Sequence, residues 1–86
     1  MPKSFSGKTA LVTGASSGIG RATALAFGEE GAKTIVSDID EAGGAETVEM
    51  INDFGGESTF LKADVTKPAE VESLIGRTIN LSLIHI

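Results

Sequence analysis

With 86 residues, one histidine and no cysteine, tyrosine or tryptophan, the chain has room for at most one small domain. Its 12 acidic residues against 7 scattered basic ones give a formal charge of −5, which argues against a polyanion, a nucleic acid or an anionic membrane surface as the main partner. The absence of cysteine excludes disulfide and thiolate chemistry, and a lone histidine speaks against a zinc or other metal site. No stretch approaches the ~20 apolar residues of a membrane span, and the N-terminus has no apolar core of a secretory signal, so a soluble cytoplasmic protein is expected.

In chain order, "KTALVT" (8–13), "KTIVSD" (33–38) and "STFLKAD" (58–64) are short, rich in apolar and β-branched residues and bounded by turn formers, the pattern of buried strands. A helical pattern follows each. The first places Ile19, Ala22, Thr23, Ala26 and Phe27 on one face, with Gly31 at the C-terminal cap. In the second, over 41–54, Ala45, Val48, Ile51 and Phe54 recur, and Gly55-Gly56 closes it. The third opens near Thr66, with Pro68 and Glu70 in its first turn and Val71, Leu74, Ile75 and Ile79 on one face. Consecutive β-α units predict an α/β fold: a parallel sheet with right-handed crossovers and flanking helices, without repeats or linkers.

Between the first strand and helix stands "TGASSGIG" (13–20). Such a turn leaves the leading N–H groups of the helix unpaired at the positive end of its dipole, which makes an anion site. Gly14 lets the strand turn sharply, Gly18 clears an approach for a diphosphate, and Gly20 lets the helix pack against the sheet. Ser16 and Ser17 can add hydroxyl donors. The spacing Gly-x3-Gly-x-Gly is neither G-x-G-x-x-G nor a triphosphatase phosphate loop. "GKT" (7–9) echoes the latter, but Pro2 occupies the position of its first glycine and a strand follows instead of preceding it.

Asp38 closes the second strand, at roughly the 20-residue distance from the loop at which a dinucleotide fold places a carboxylate for the adenosine ribose diol. A carboxylate there repels a 2′-phosphate, and neither Ser17 nor Ile39 brings a cation, so NAD is favoured over NADP. The other reading, a loop carboxylate or an N-cap of the second helix, suits Asp40 better than Asp38. Asp64, in "ADVT", ends the third strand. With strands ordered 3-2-1 it flanks an adenine pocket, or it caps the helix that follows.

Together, "TGASSGIG", Asp38 and "ADVT" resemble the N-terminal half of the short-chain dehydrogenase/reductase family, of its NAD-preferring type. The resemblance runs from Lys8 to about Asn80. It implies a partial Rossmann (doubly wound) fold and nicotinamide-dependent oxidation of alcohols or reduction of carbonyls by a homo-oligomeric parent. It further implies a cofactor loop of Gly14, Ser16, Ser17, Gly18, Ile19 and Gly20, with Asp38 and Ile39 at the ribose and Asp64 and Val65 at adenine. The family's catalytic Tyr and Lys, four residues apart, have no counterpart in a chain without tyrosine, so no residue is assigned a catalytic role. The expectation is a fragment, truncated before the catalytic half, with 1–80 the dinucleotide-binding part. The alternatives are a non-catalytic adenine-nucleotide-binding half-fold and a flavodoxin-like regulatory domain, the latter leaving Gly18 and Gly20 unexplained.

"LSLIHI" (81–86) departs from the family pattern and matches a translation of the transposon end used in sequencing libraries (CTG TCT CTT ATA CAC ATC), so it is read as a non-native tail. His85 and the Asn80-Leu81-Ser82 sequon accordingly carry no function. The tail is β-prone and suited to the open edge of the first strand. Half a doubly wound sheet leaves apolar surface bare, so the isolated chain is expected to be poorly soluble or molten and to bind NAD weakly.

Overall fold

The computed structural model describes residues 7–82, with side chains to residue 78. Three strands alternate with three helices: β1 (Thr9–Thr13), α1 (Gly18–Glu29), β2 (Lys33–Asp38), α2 (Glu41–Asp53), β3 (Glu57–Lys62) and α3 (Pro68–Ser82). The strands form one parallel sheet in which β2 is central, the expected 3-2-1 order. The register sets Val12 beside Val36 and Val36 beside Phe60.

Side chains alternate across β2, so Val36 and Ile35 face opposite sides of the sheet, and neither has any solvent exposure. A strand covered on both faces reads as the continuous apolar run seen in 33–38. On the Val36 side, Val12, Ala15, Ala24 and Ile51 form the core, with Leu25, Phe27, Val48 and Phe60 half-buried against it. Here α1 packs on β1 and β2, α2 packs on β2 and β3, and the two helices touch each other.

The helix faces differ from the expected ones. In α1, Ile19, Ala22, Thr23 and Ala26 are exposed, and Ala24 and Gly28 are buried instead. In α2 the buried residues are Gly44, Thr47 and Ile51, while Ala45 and Phe54 are exposed and Val48 is half-buried. The reason is close approach. A Cβ on Gly28 would lie 3.1 Å from Ile51 Cγ2, and one on Gly44 would run into the Phe60 ring. Gly28 and Gly44 thus mark where each helix comes closest to its neighbours, and of the expected residues Ile51 and Phe27 do pack in the core. In α3, Leu74 is buried and Ile75 exposed. Ile79 lies outside the described side chains.

Two boundaries also move. β3 stops at Lys62: Ala63 N still donates to the Asp38 carbonyl (3.2 Å), and the chain then turns at Asp64, which stands beyond the strand. Leu81 and Ser82 are helical, not extended, because continuing a formed helix adds a hydrogen bond for each residue fixed. Residues 83–86, and with them His85, lie outside the described residues.

Candidate functional site

The C-terminal ends of all three strands open on one side of the sheet. There, Gly14, Asp38, Ile39, Ala63, Asp64, Val65 and Thr66 line a cleft of about 220 Å³. Gly14, Asp38, Ile39, Asp64 and Val65 of the expected site thus meet in one depression. Ile39 (59 % exposed) and Val65 (54 %) offer apolar surface to it. The loop residues Ser16 to Gly20 flank the cleft without lining it.

The loop takes its shape from its glycines. Gly14 and Gly18 have φ of +65° and +57°, the left-handed region that side chains rarely enter. A Cβ on either would meet nothing within 4 Å, so the outer side of the loop is open space that a ligand can approach. Gly20 is constrained by contact instead: its Cβ would run into the Gly14 carbonyl. The first helical hydrogen bond runs from Arg21 N to the Ser17 carbonyl (3.2 Å), which leaves the preceding amides of the first turn without intrahelical partners. Ser17 is the N-cap, exposed and making no side-chain cap bond, and Ile19 is 86 % exposed.

Ser16 behaves differently. It is buried, and both its amide (3.2 Å) and its hydroxyl (2.7 Å) donate to Asp38 Oδ2. Asp38 Oδ1 accepts from Asp40 N (3.1 Å). These bonds, the one from the Asp40 backbone first and the Ser16 hydroxyl next, hold the Asp38 carboxyl below its ordinary value of 3.8, and it is ionised at neutral pH. The carboxylate also lines the cleft, where its oxygens can accept from an incoming hydroxyl.

Asp40 caps α2, accepting from Gly43 N (3.0 Å). Asp64 Oδ1 accepts from the amide (2.9 Å) and hydroxyl (2.6 Å) of Thr66, forming the turn ahead of α3 while the residue still lines the cleft. The Thr66 hydroxyl and then its amide lower the Asp64 carboxyl as well. Among the described residues no group of His, Cys, Asp and Glu is arranged to hold a metal ion, and no helix is long and apolar enough to cross a membrane.

Sequence reasoning passed over Arg21 and Thr47. Arg21 Nε donates to Thr47 Oγ1 (2.9 Å), its Nη2 donates to the carbonyls of Ser16 and Gly43 (3.1 Å to the latter), and its Nη1 pairs with Glu46 (2.7 Å). Thr47, fully buried, donates to the Ala15 carbonyl (2.7 Å). A signal was present: a cation in the first turn of a helix opposes the dipole and needs another reason to stand there.

Comparison with known proteins agrees with this geometry. The family model described as short chain dehydrogenase matches residues 8–82. An uncharacterized oxidoreductase of Thermotoga maritima is 53 % identical over 66 residues, 77 % of this chain and 26 % of the relative. Glucose 1-dehydrogenase 2 of Bacillus subtilis is 42 % identical over 76 residues, 87 % of this chain and 30 % of that protein. Among solved structures, a short chain dehydrogenase/reductase from Burkholderia phymatum in complex with NAD superposes with a TM-score of 0.84 at 37 % identity, covering 88 % of this chain and 27 % of that one. The chain therefore spans less than a third of the length of these proteins.

Proposed function

The chain belongs to the short-chain dehydrogenase family, and from that premise we propose that it is the NAD-binding portion of an oxidoreductase acting on an alcohol or carbonyl substrate. The observation that carries this reading is the ionised Asp38 carboxylate, held at the mouth of the cleft by the glycine loop itself. The open outer face of Gly14 and Gly18 fits a diphosphate, with the leading amides of α1 as donors and the Ser17 hydroxyl beside them. Asp38, with Ile39 next to it, takes the adenosine ribose; Asp64 and Val65 flank the adenine.

The preference for NAD follows from charge. A 2′-phosphate would be set against an ionised carboxylate, and the cation nearest in sequence to the loop, Arg21, already serves two carbonyls, Thr47 and Glu46. A bound nicotinamide dinucleotide supplies hydride transfer. The proton transfer that accompanies it in the family needs a Tyr and a Lys, and this chain holds no tyrosine, so catalysis by the chain alone is not part of the proposal.

Calorimetric titration with NAD and NADP, beside Asp38→Ala, tests the reading. NAD binding, no NADP binding, and loss of that preference in the variant are expected. Equal binding of both dinucleotides by the parent chain overturns the assignment of Asp38, and binding of neither overturns the reading for this chain.

A further inference from the structure

Arg21 and Thr47 are not among the residues that line the cleft. Their hydrogen bonds nevertheless form a closed circuit with it. From Arg21, Nη2 donates to the Ser16 carbonyl; the Ser16 amide and hydroxyl donate to Asp38; and Asp38 accepts from Asp40 N (3.1 Å). Asp40 in turn accepts from Gly43 N (3.0 Å), and the Gly43 carbonyl accepts from Arg21 Nη2 (3.1 Å), closing the ring. Loop and helix are in direct contact within it: a Cβ on Gly43 would lie 2.7 Å from Ser16 Cβ.

We propose that Arg21 is a positioning residue for the dinucleotide site, fixing the loop carbonyls away from the cofactor's diphosphate and coupling the loop to the ribose carboxylate through the first turn of α2. This rests on the reading given under Proposed function. The physical reason lies in the direction of the loop dipoles. A carbonyl of Ala15 or Ser16 turned outward would set its negative end against a bound anion. Arg21 holds the Ser16 carbonyl, and Thr47, itself held by Arg21 Nε, holds that of Ala15 (2.7 Å). Both carbonyls are thereby engaged and kept from turning toward a bound anion. The task requires a planar fork reaching several acceptors at once. A lysine keeps the charge but not the fork.

The test uses the full chain with Arg21→Lys, Asp38→Asn and the double variant, read by NAD calorimetry and by amide hydrogen exchange. Loss of charge-assisted bonds of this kind weakens a site by about tenfold or more. Arg21→Lys is therefore expected to raise the NAD Kd by about that factor. Asp38→Asn should then cost less in the Arg21→Lys background than in the parent, because the circuit is already broken. In Arg21→Lys the Ser16 and Gly43 amides should lose protection together while those of Ile35 and Val36 in β2 keep theirs.

Parent-like NAD affinity in Arg21→Lys, or additive effects in the double variant, overturns the inference. So does loss of protection extending into β2, since Arg21 would then be holding the fold as a whole. If the parent chain binds no NAD, the functional reading fails by itself. The exchange pattern of Ser16 and Gly43 then decides the inference alone, joint loss supporting it and retained protection overturning it.

Discussion

Four of the six glycines in the described helices, Gly20, Gly28, Gly44 and Gly76, face four different surroundings, so one substitution, Gly→Ala, should change stability in a graded order that reverses sign. At Gly20 the added Cβ would run into the Gly14 carbonyl and lie 3.2 Å from Ala15 Cα; both neighbours are backbone, and relief requires moving the loop or α1. Overpacking of that kind costs about 1–3 kcal/mol, against which the helix preference for Ala returns roughly 0.5–1 kcal/mol. At Gly44 the obstacle is the Phe60 ring, which can yield only by giving up its place against the core. At Gly28 the nearest atoms are Ile51 Cγ2 at 3.1 Å and Phe54 Cζ at 3.2 Å, side chains that need to shift by a few tenths of an ångström. At Gly76, exposed on α3, nothing lies within 4 Å, and the full gain of about 0.5–1 kcal/mol applies. The assay is urea unfolding followed by far-UV circular dichroism, in a stabilising osmolyte so that a marginal chain begins folded. With an m value of about 1 kcal/mol per molar, Gly76→Ala should raise the midpoint by about 0.5–1 M and Gly20→Ala should lower it by up to ~2 M. The reasoning is refuted if the two variants shift the midpoint in the same direction, or if Gly20→Ala is better tolerated than Gly28→Ala.

The Asp38 and Asp64 carboxyls both lie below their ordinary value of 3.8 in the folded chain, so the stability they contribute is fully present above that value and is lost as pH falls through the lower folded values. Urea midpoints measured from pH 6 down to about pH 2 should show this acid limb, shallower in Asp38→Asn; an unchanged limb in the variant would mean that Asp38 has no part in it. Thr47→Val keeps the shape but orphans the buried Ala15 carbonyl and Arg21 Nε, a loss of about 1–3 kcal/mol, whereas Thr47→Ser loses a methyl group worth about 0.8 kcal/mol. Equal midpoints for the two would contradict the hydrogen-bond account. Asp40→Ala removes the α2 cap and should cost about 1 kcal/mol by the same titration, with Asp40→Asn recovering most of it.

The strands were legible because a buried parallel strand is written as an uninterrupted apolar and β-branched run; 33–38 is delimited in the sequence as in the fold. The glycine loop, Asp38 and Asp64 could be placed because each lies at or just beyond a strand end, whose position the alternation of elements fixes. Helix faces were less legible. Alanine occurs on both sides of α1, with Ala24 buried and Ala22 and Ala26 exposed, so periodicity offered two interleaved stripes, and of the expected one only Phe27 packs against the core. The network behind the loop could not be read from the sequence, since Arg21 and Thr47 lie 26 positions apart and meet only because α1 and α2 pack side by side.

That packing also bears on what a change at the cleft can do. Asp38 is at once the carboxylate that faces the cleft and the acceptor that fixes Ser16, so removing the whole carboxyl group both vacates a ligand position and releases the loop. A measured loss of dinucleotide affinity in Asp38→Ala would therefore contain two contributions, and the proposed contact with ribose is only one of them. Asn keeps an acceptor oxygen for the Ser16 donors while removing the charge that repels a 2′-phosphate. The NAD to NADP ratio of Asp38→Asn consequently reports the electrostatic part of the proposed preference, and the further drop in absolute affinity from Asn to Ala reports the part that comes from holding the loop in place.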